Sequence, residues 1–231
     1  MCIRDRVALT RAELGTRGDS RTRLTEFRAS ASVMGLDAWG VLDIPDGSIE
    51  VNPTNRWKVT DVIRKYQPDL IFAPYWNDRH PDHANASRLI REAAFHAGLA
   101  KVRTQHPPHR PRTIVYYPSY FEFQPSFIVD VSITFEKKLE AIRCYRSQFH
   151  VQDAPRDGEP ETLLSRPDFI EFIITRARYW GSKIGAAYGE PFYWPNPVPV
   201  EDPVRTFASL SDCLLYTSDA ADEGLGVDLG G

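Results

Sequence analysis

The run Leu70-Ile71-Phe72-Ala73, set between Asp69 and Pro74, constrains this chain most. A short apolar run of this kind suits a strand covered on both faces, the usual state of a strand inside a parallel sheet. Helical periodicity flanks it. Leu24, Phe27, Ala31 and Met34 recur at helical spacing over 21–34, with Gly35 placed for a C-terminal cap, and a second helix is expected from about Asn55 to Tyr66.

Val7-Ala8-Leu9 reads as the end of a strand entering the polar loop 10–18, where Gly15 and Gly18 permit tight turns. A strand near 39–42 ends at the turn Ile44-Pro45-Asp46-Gly47. Downstream, the pattern predicts a helix from Pro81 to about Leu99, a Pro/His/Arg-rich loop at 103–112, and strands near 113–117 and 127–131. Helices over about 133–147 and 167–188 follow. Strands alternating with helices predict an α/β domain, a mostly parallel sheet covered by helices, with ligands in the loops at the strands' C-terminal ends.

The 231 residues, 42% hydrophobic and 26% charged, fit one domain. A net charge of −3, from 28 basic and 31 acidic residues, argues against a nucleic-acid-binding field or a polybasic membrane patch. Cys2, Cys144 and Cys213 form no CxxC pair, so neither a disulfide framework nor a thiolate zinc site is expected, and a cytoplasmic location is simplest. No apolar run approaches the ~20 residues of a membrane helix. Residues 1–6 and 208–231 lack a periodic core face. They are expected to lie outside a domain spanning 7–207, and their wording resembles translated adapter sequence of non-native origin.

The loop after the apolar run carries Asn77-Asp78-Arg79-His80-Pro81-Asp82-His83. Pro81 suits the first position of a helix, which puts His80 at its cap and His83 in its first turn, on one side. The positive end of the helix dipole favours a neutral His83 able to give a lone pair to a metal. The same residues also read as an ordinary helix start, capped and solvated by Asp78 and the histidines. Two histidines alone do not close a catalytic zinc site, which takes about three protein ligands.

With Ile71-Phe72-Ala73-Pro74-Tyr75 before it, this loop resembles the second motif of the PIG-L/LmbE-type deacetylases, zinc-dependent enzymes that act on N-acetylglucosamine conjugates. Further matches are the 9–18 loop, Leu42–Gly47, Tyr145-Arg146-Ser147-Gln148-Phe149, Tyr179-Trp180-Gly181 and Tyr188–Phe192, together covering residues 7 to about 205. They most resemble the branch that deacetylates N-acetylglucosaminyl-malate in bacillithiol synthesis.

The resemblance implies a Rossmann-like α/β fold, one Zn2+ and a homo-oligomer. It makes His83 a zinc ligand and His80 the group, acting as imidazolium, that stabilises the oxyanion and protonates the departing amine. Asp82 would hold His80 charged, or instead bond first-turn N–H groups. Arg79 and Arg23, with Arg17 a further candidate, would face a small anionic GlcNAc conjugate. Trp39, Tyr116, Tyr117, Phe121 and Phe123 are read as packing rather than as a sugar-stacking surface. Family members open with a strand leading to a His-Pro-Asp-Asp segment that supplies two zinc ligands and the base. No such text occurs here, so the chain is expected to lack the family's first strand and helix and to carry an incomplete zinc ligand set. Other GlcNAc conjugates, such as chitobiose or inositol derivatives, and an inactive sugar-binding fragment are the alternative readings.

Overall fold

The computed structural model describes residues 4–150, 158 and 160–208. The first half alternates strand and helix: β1 (Asp5–Ala8), α1 (Ser20–Met34), β2 (Ala38–Val41), α2 (Pro53–Tyr66), β3 (Leu70–Pro74), α3 (Pro81–Ala97) and β4 (Thr113–Tyr117). β5 (Phe127–Asp130), α4 (Phe135–Arg143), α5 (Phe169–Ser182), β6 (Gly189–Phe192) and α6 (Pro203–Phe207) follow.

Local chemistry sets the helix ends. The Asp19 carboxylate accepts the Thr22 N–H at 2.7 Å to start α1, and Gly35, left-handed at φ 62°, ends it. Asn52 caps α2 and His80 caps α3, each followed by proline at the first helical position, where its missing N–H costs nothing.

β1 pairs with β2 and β3 with β4, both in parallel, while β5 and β6 pair antiparallel. A bridge between Tyr116 and Tyr193 ties β4 to the chain leaving β6. The main core joins the two parallel ladders: Ile44, Ile49, Val59, Ile63 and Leu89 pack with Leu9, Leu42, Ile71 and Ile114 beneath α2 and α3. A second cluster joins α4 and α5 through Phe135, Leu139 and Ala177. The α/β class and the parallel pairing are as expected.

Three features differ from expectation. Residues 4–6 belong to the fold, because strand pairing uses backbone groups whatever the side chains. Asp5 and Arg6 pair with Ala38 and Trp39, and the Arg4 carbonyl accepts the Asp37 N–H at 2.8 Å. The helix expected over 133–147 ends at Arg143, and the one over 167–188 ends at Ser182, where Gly181 lies against the returning Ala186–Tyr188 backbone. Among the described residues β3 is covered on one face only, with Ala73 fully buried but Phe72 53% exposed. The expected tail, apart from Ala208, lies outside the described residues. No described helix is long and apolar enough to cross a membrane.

Candidate functional site

The loops that follow β1, β2 and β3 meet at the strands' C-terminal ends, where an α/β sheet presents ligand sites. β3 ends at Pro74, and four residues later the Asp78 side chain is 1% exposed. Its carboxylate accepts the N–H groups of His80 at 2.8 Å and Tyr120 at 3.1 Å, and meets His83 Nδ1 at 3.1 Å. Burial pushes the Asp78 pKa up, but those two N–H groups and the adjacent His83 outweigh it and hold the carboxyl below its ordinary value. An ionised carboxylate only accepts, so His83 Nδ1 is the donor. Neutral His83 therefore carries its lone pair on Nε2.

His80 has the opposite arrangement. Its Nδ1 accepts the Asp82 N–H at 3.2 Å, which in a neutral ring leaves the hydrogen on Nε2. The two rings stack with centroids 4.9 Å apart at 25°, which places a donor nitrogen beside an acceptor nitrogen on one helix start.

Asp82 is buried, and its oxygens accept the N–H groups of Gly47 at 2.7 Å and Ile49 at 3.2 Å. Those bonds lead into the loop after β2, not to the first turn of α3 or to the His80 ring. That loop in turn clasps the one after β1: Leu14 N–H bonds Asp46 at 3.1 Å, Asp46 N–H bonds Glu13 at 2.8 Å, and Arg11 pairs with Asp43 at 2.7 Å. The three loops form one rim.

Arg17 belongs to the loop after β1, and Arg23 to the first turn of α1. Buried Glu26 accepts Ser147 N–H at 2.6 Å, Ser147 Oγ–H at 2.8 Å and Arg23 Nη1–H at 3.2 Å, while Gln148 Nε2–H donates to the Arg17 carbonyl at 2.6 Å. The Tyr145–Phe149 segment thus anchors the arginine loop. Arg79 is on the histidine side, its guanidinium 4.4 Å from the centroid of the Tyr120 ring. Trp39, Tyr116, Phe121 and Phe123 each pack on another ring, and Trp39, Tyr117 and Phe121 are also exposed.

A family model described as PIG-L, GlcNAc-PI de-N-acetylase, matches residues 5–94. Diacetylchitobiose deacetylase of Thermococcus kodakarensis is 30% identical over 176 residues, which is 73% of this chain and 60% of that protein. The conserved protein TT1542 of Thermus thermophilus is 36% identical, with a TM-score of 0.75 over 85% of this chain and 83% of that one. The chain belongs to the PIG-L family. Another solved structure, N,N'-diacetylchitobiose deacetylase of Pyrococcus horikoshii complexed with its inhibitor MPG, is 28% identical with a TM-score of 0.66, covering 81% of this chain and 71% of that one. The chain spans 60% of the length of the Thermococcus relative.

Within this PIG-L chain, three polar residues shape the site without having been singled out for it. Asp78 was legible only as a capping residue, although an acid two residues before a histidine is a signal in itself. Glu26 sits in the helical pattern beside Phe27, which hints at burial. Arg176 has no local signal: it donates to the Ser119 carbonyl at 3.0 Å, lies 3.5 Å from Glu122, and burial lowers its pKa from the ordinary value. Among the described residues no group of three or more His, Cys, Asp or Glu side chains converges as a metal site, so they do not close a zinc site by themselves.

Proposed function

We propose that this chain is the greater part of a zinc-dependent deacetylase that releases acetate from a small N-acetylglucosamine conjugate, N-acetylglucosaminyl-malate, in the cytoplasm. The stacked pair His80 and His83 carries this reading, one presenting an N–H and the other a lone pair at the end of a parallel strand. The names of the Thermococcus and Pyrococcus relatives point to the same bond, the acetamide of an amino sugar. Water adds to the acetyl carbonyl carbon, the C–N bond breaks, and acetate and a free amine leave. His80 Nε2–H donates to the carbonyl oxygen as negative charge develops there, and the departing nitrogen takes up a proton released by the attacking water. Arg79 and Arg23, with Arg17, are the cations for the malyl carboxylates.

In this reading His83 Nε2 is one zinc ligand, and the others come from a further strand and helix. Three observations support that completion. β1 pairs only with β2, and β3 only with β4, among the described residues. A groove of about 820 Å³ borders both ladders, α4 and α5, with Arg6, Phe72, Ile142 and Phe172 among its walls. Along it, Tyr145 Oη, Arg176 Nη2 and Trp180 Nε1 are buried without a hydrogen-bond partner among the described residues. Each such group costs ~1–3 kcal/mol until it is paired, and the carbonyls of an inserted segment would pair them.

The test is acetate release by a chain extended at its N-terminus with the upstream reading frame, with zinc and after chelation. N-acetylglucosaminyl-malate is expected to be turned over at least tenfold better than diacetylchitobiose. Equal or reversed rates select the chitobiose-type substrate suggested by the relatives' names. No zinc-dependent acetate from either refutes the deacetylase reading. Tight stoichiometric zinc binding by residues 1–231 alone refutes the incomplete ligand set.

A further inference from the structure

A second cavity, of about 350 Å³, runs along α3 away from the histidine pair. Ala84, Ser87, Arg88 and Arg91 line it and follow His80 along one side of the helix. Trp76 and Tyr116 line it as well. At ~1.5 Å per residue, Ala84 stands roughly 6 Å and Arg88 roughly 12 Å from His80 along the helix axis, so the cavity begins about one turn beyond His80 and its arginines lie two turns or more away.

Two features of the walls indicate what fits. Trp76 is 44% exposed yet fixed: its ring stands perpendicular to those of Tyr116 and Tyr193 at 5.1 and 5.3 Å, and the Tyr75 ring lies 4.1 Å away. An exposed indole already held in place offers a flat apolar face without further loss of side-chain freedom. Arg88 and Arg91 are exposed, and neither forms an ion pair with a described residue, whereas Arg11, Arg56, Arg112 and Arg166 all do. Among the described residues no carboxylate lines the cavity, and Glu92, the nearest acid in sequence, is engaged by Arg56. Arg91 is close enough to Tyr116 for its charge to oppose the rise in phenol pKa that burial causes.

We propose that this cavity binds an anionic sugar, the ring stacked on Trp76 and the acidic group held by Arg88 and Arg91. Its volume suits one small ligand. Two guanidinium forks favour a phosphate or carboxylate over any neutral group. The assignment does not depend on the deacetylase reading, because it involves neither histidine.

The test is calorimetric titration of the chain with N-acetylglucosamine 6-phosphate, with N-acetylglucosamine as the neutral control. The phosphorylated sugar is expected to bind at least tenfold more tightly. R88Q/R91Q should reduce it to the level of the neutral sugar, and W76L should weaken both sugars at least fivefold. Both arginines are exposed, so the double variant should melt at the parent temperature. H83A should leave the affinity within twofold. Equal affinity for the two sugars, or an R88Q/R91Q variant that binds as the parent does, overturns the proposal. Loss of binding in H83A also overturns it, by placing the anion at the histidines, while acetate release by the extended chain is judged separately.

Discussion

Replacing Asp78 by Asn tests the histidine site most directly. In the native loop the carboxylate takes three donors: His80 N–H at 2.8 Å, Tyr120 N–H at 3.1 Å and His83 Nδ1–H at 3.1 Å. A hydrogen bond to a charged group contributes ~1.5–3 kcal/mol. Both backbone bonds lie in exposed loop, where water can partly replace the lost acceptor. Asparagine keeps one acceptor oxygen and turns an NH2 toward the remaining donors. The net loss is then about 2–3 kcal/mol, read as a lower urea midpoint at unchanged slope. The sharper measurement is the 15N shift of the His83 ring. The parent should hold its hydrogen on Nδ1, and D78N should move a substantial share of it to Nε2, because an amide can donate to Nδ1 where a carboxylate cannot. Stability within about 0.5 kcal/mol of the parent, together with an unchanged tautomer, refutes the orienting role of Asp78.

Further expectations follow from the same geometry. Gly18→Ala should destabilise by about 2 kcal/mol in thermal melts, because φ is +72° and a Cβ would come within 2.7 Å of Ser147 Oγ. Glu26→Gln removes the charge that pairs Arg23 and leaves donors facing an NH2; it should cost about 2–4 kcal/mol and speed amide exchange at Ser147. The pKa of Asp78 is lower folded than unfolded, so its stabilisation is complete above the unfolded value of ~3.9 and is lost as pH falls through the folded value. Urea midpoints between pH 6 and 3 should therefore fall toward the acid end in the parent, and less steeply in D78N.

The helices were the legible part of the fold because their signals are local. Gly35 ends α1 where the pattern placed it, and Pro81 begins α3. β4 spans Thr113–Tyr117, as its β-branched and aromatic residues predict. β6 was not legible, because Gly189 and Pro191 read as breakers; it survives in a two-stranded ladder in which Pro191 sits opposite Ile128 and, among the described residues, no carbonyl pairs at the position of its missing N–H. At the site, residue identity was readable while hydrogen-bond partners were not. The histidine pair stood out by spacing, but Asp82 bonds amides 33 and 35 residues away, and no local pattern reports that. The run Leu70–Ala73 implies cover on both faces, and the exposure of Phe72 marks where the described residues supply only one.

That long-range bond explains why two adjacent histidines differ. The start of α3 leaves backbone N–H groups without helical partners, and one of them, on Asp82, points at His80 Nδ1. Had the Asp82 carboxylate faced that nitrogen instead, His80 would donate from Nδ1 as His83 does, and both rings would present lone pairs outward. The carboxylate is held away by Gly47 and Ile49, in the loop that also clasps Leu14. The turn after β2 thereby helps set which nitrogen of His80 carries the proton, although it touches neither ring. Loosening that turn should act on His80 before it acts on His83, whose own partner, Asp78, belongs to a different loop.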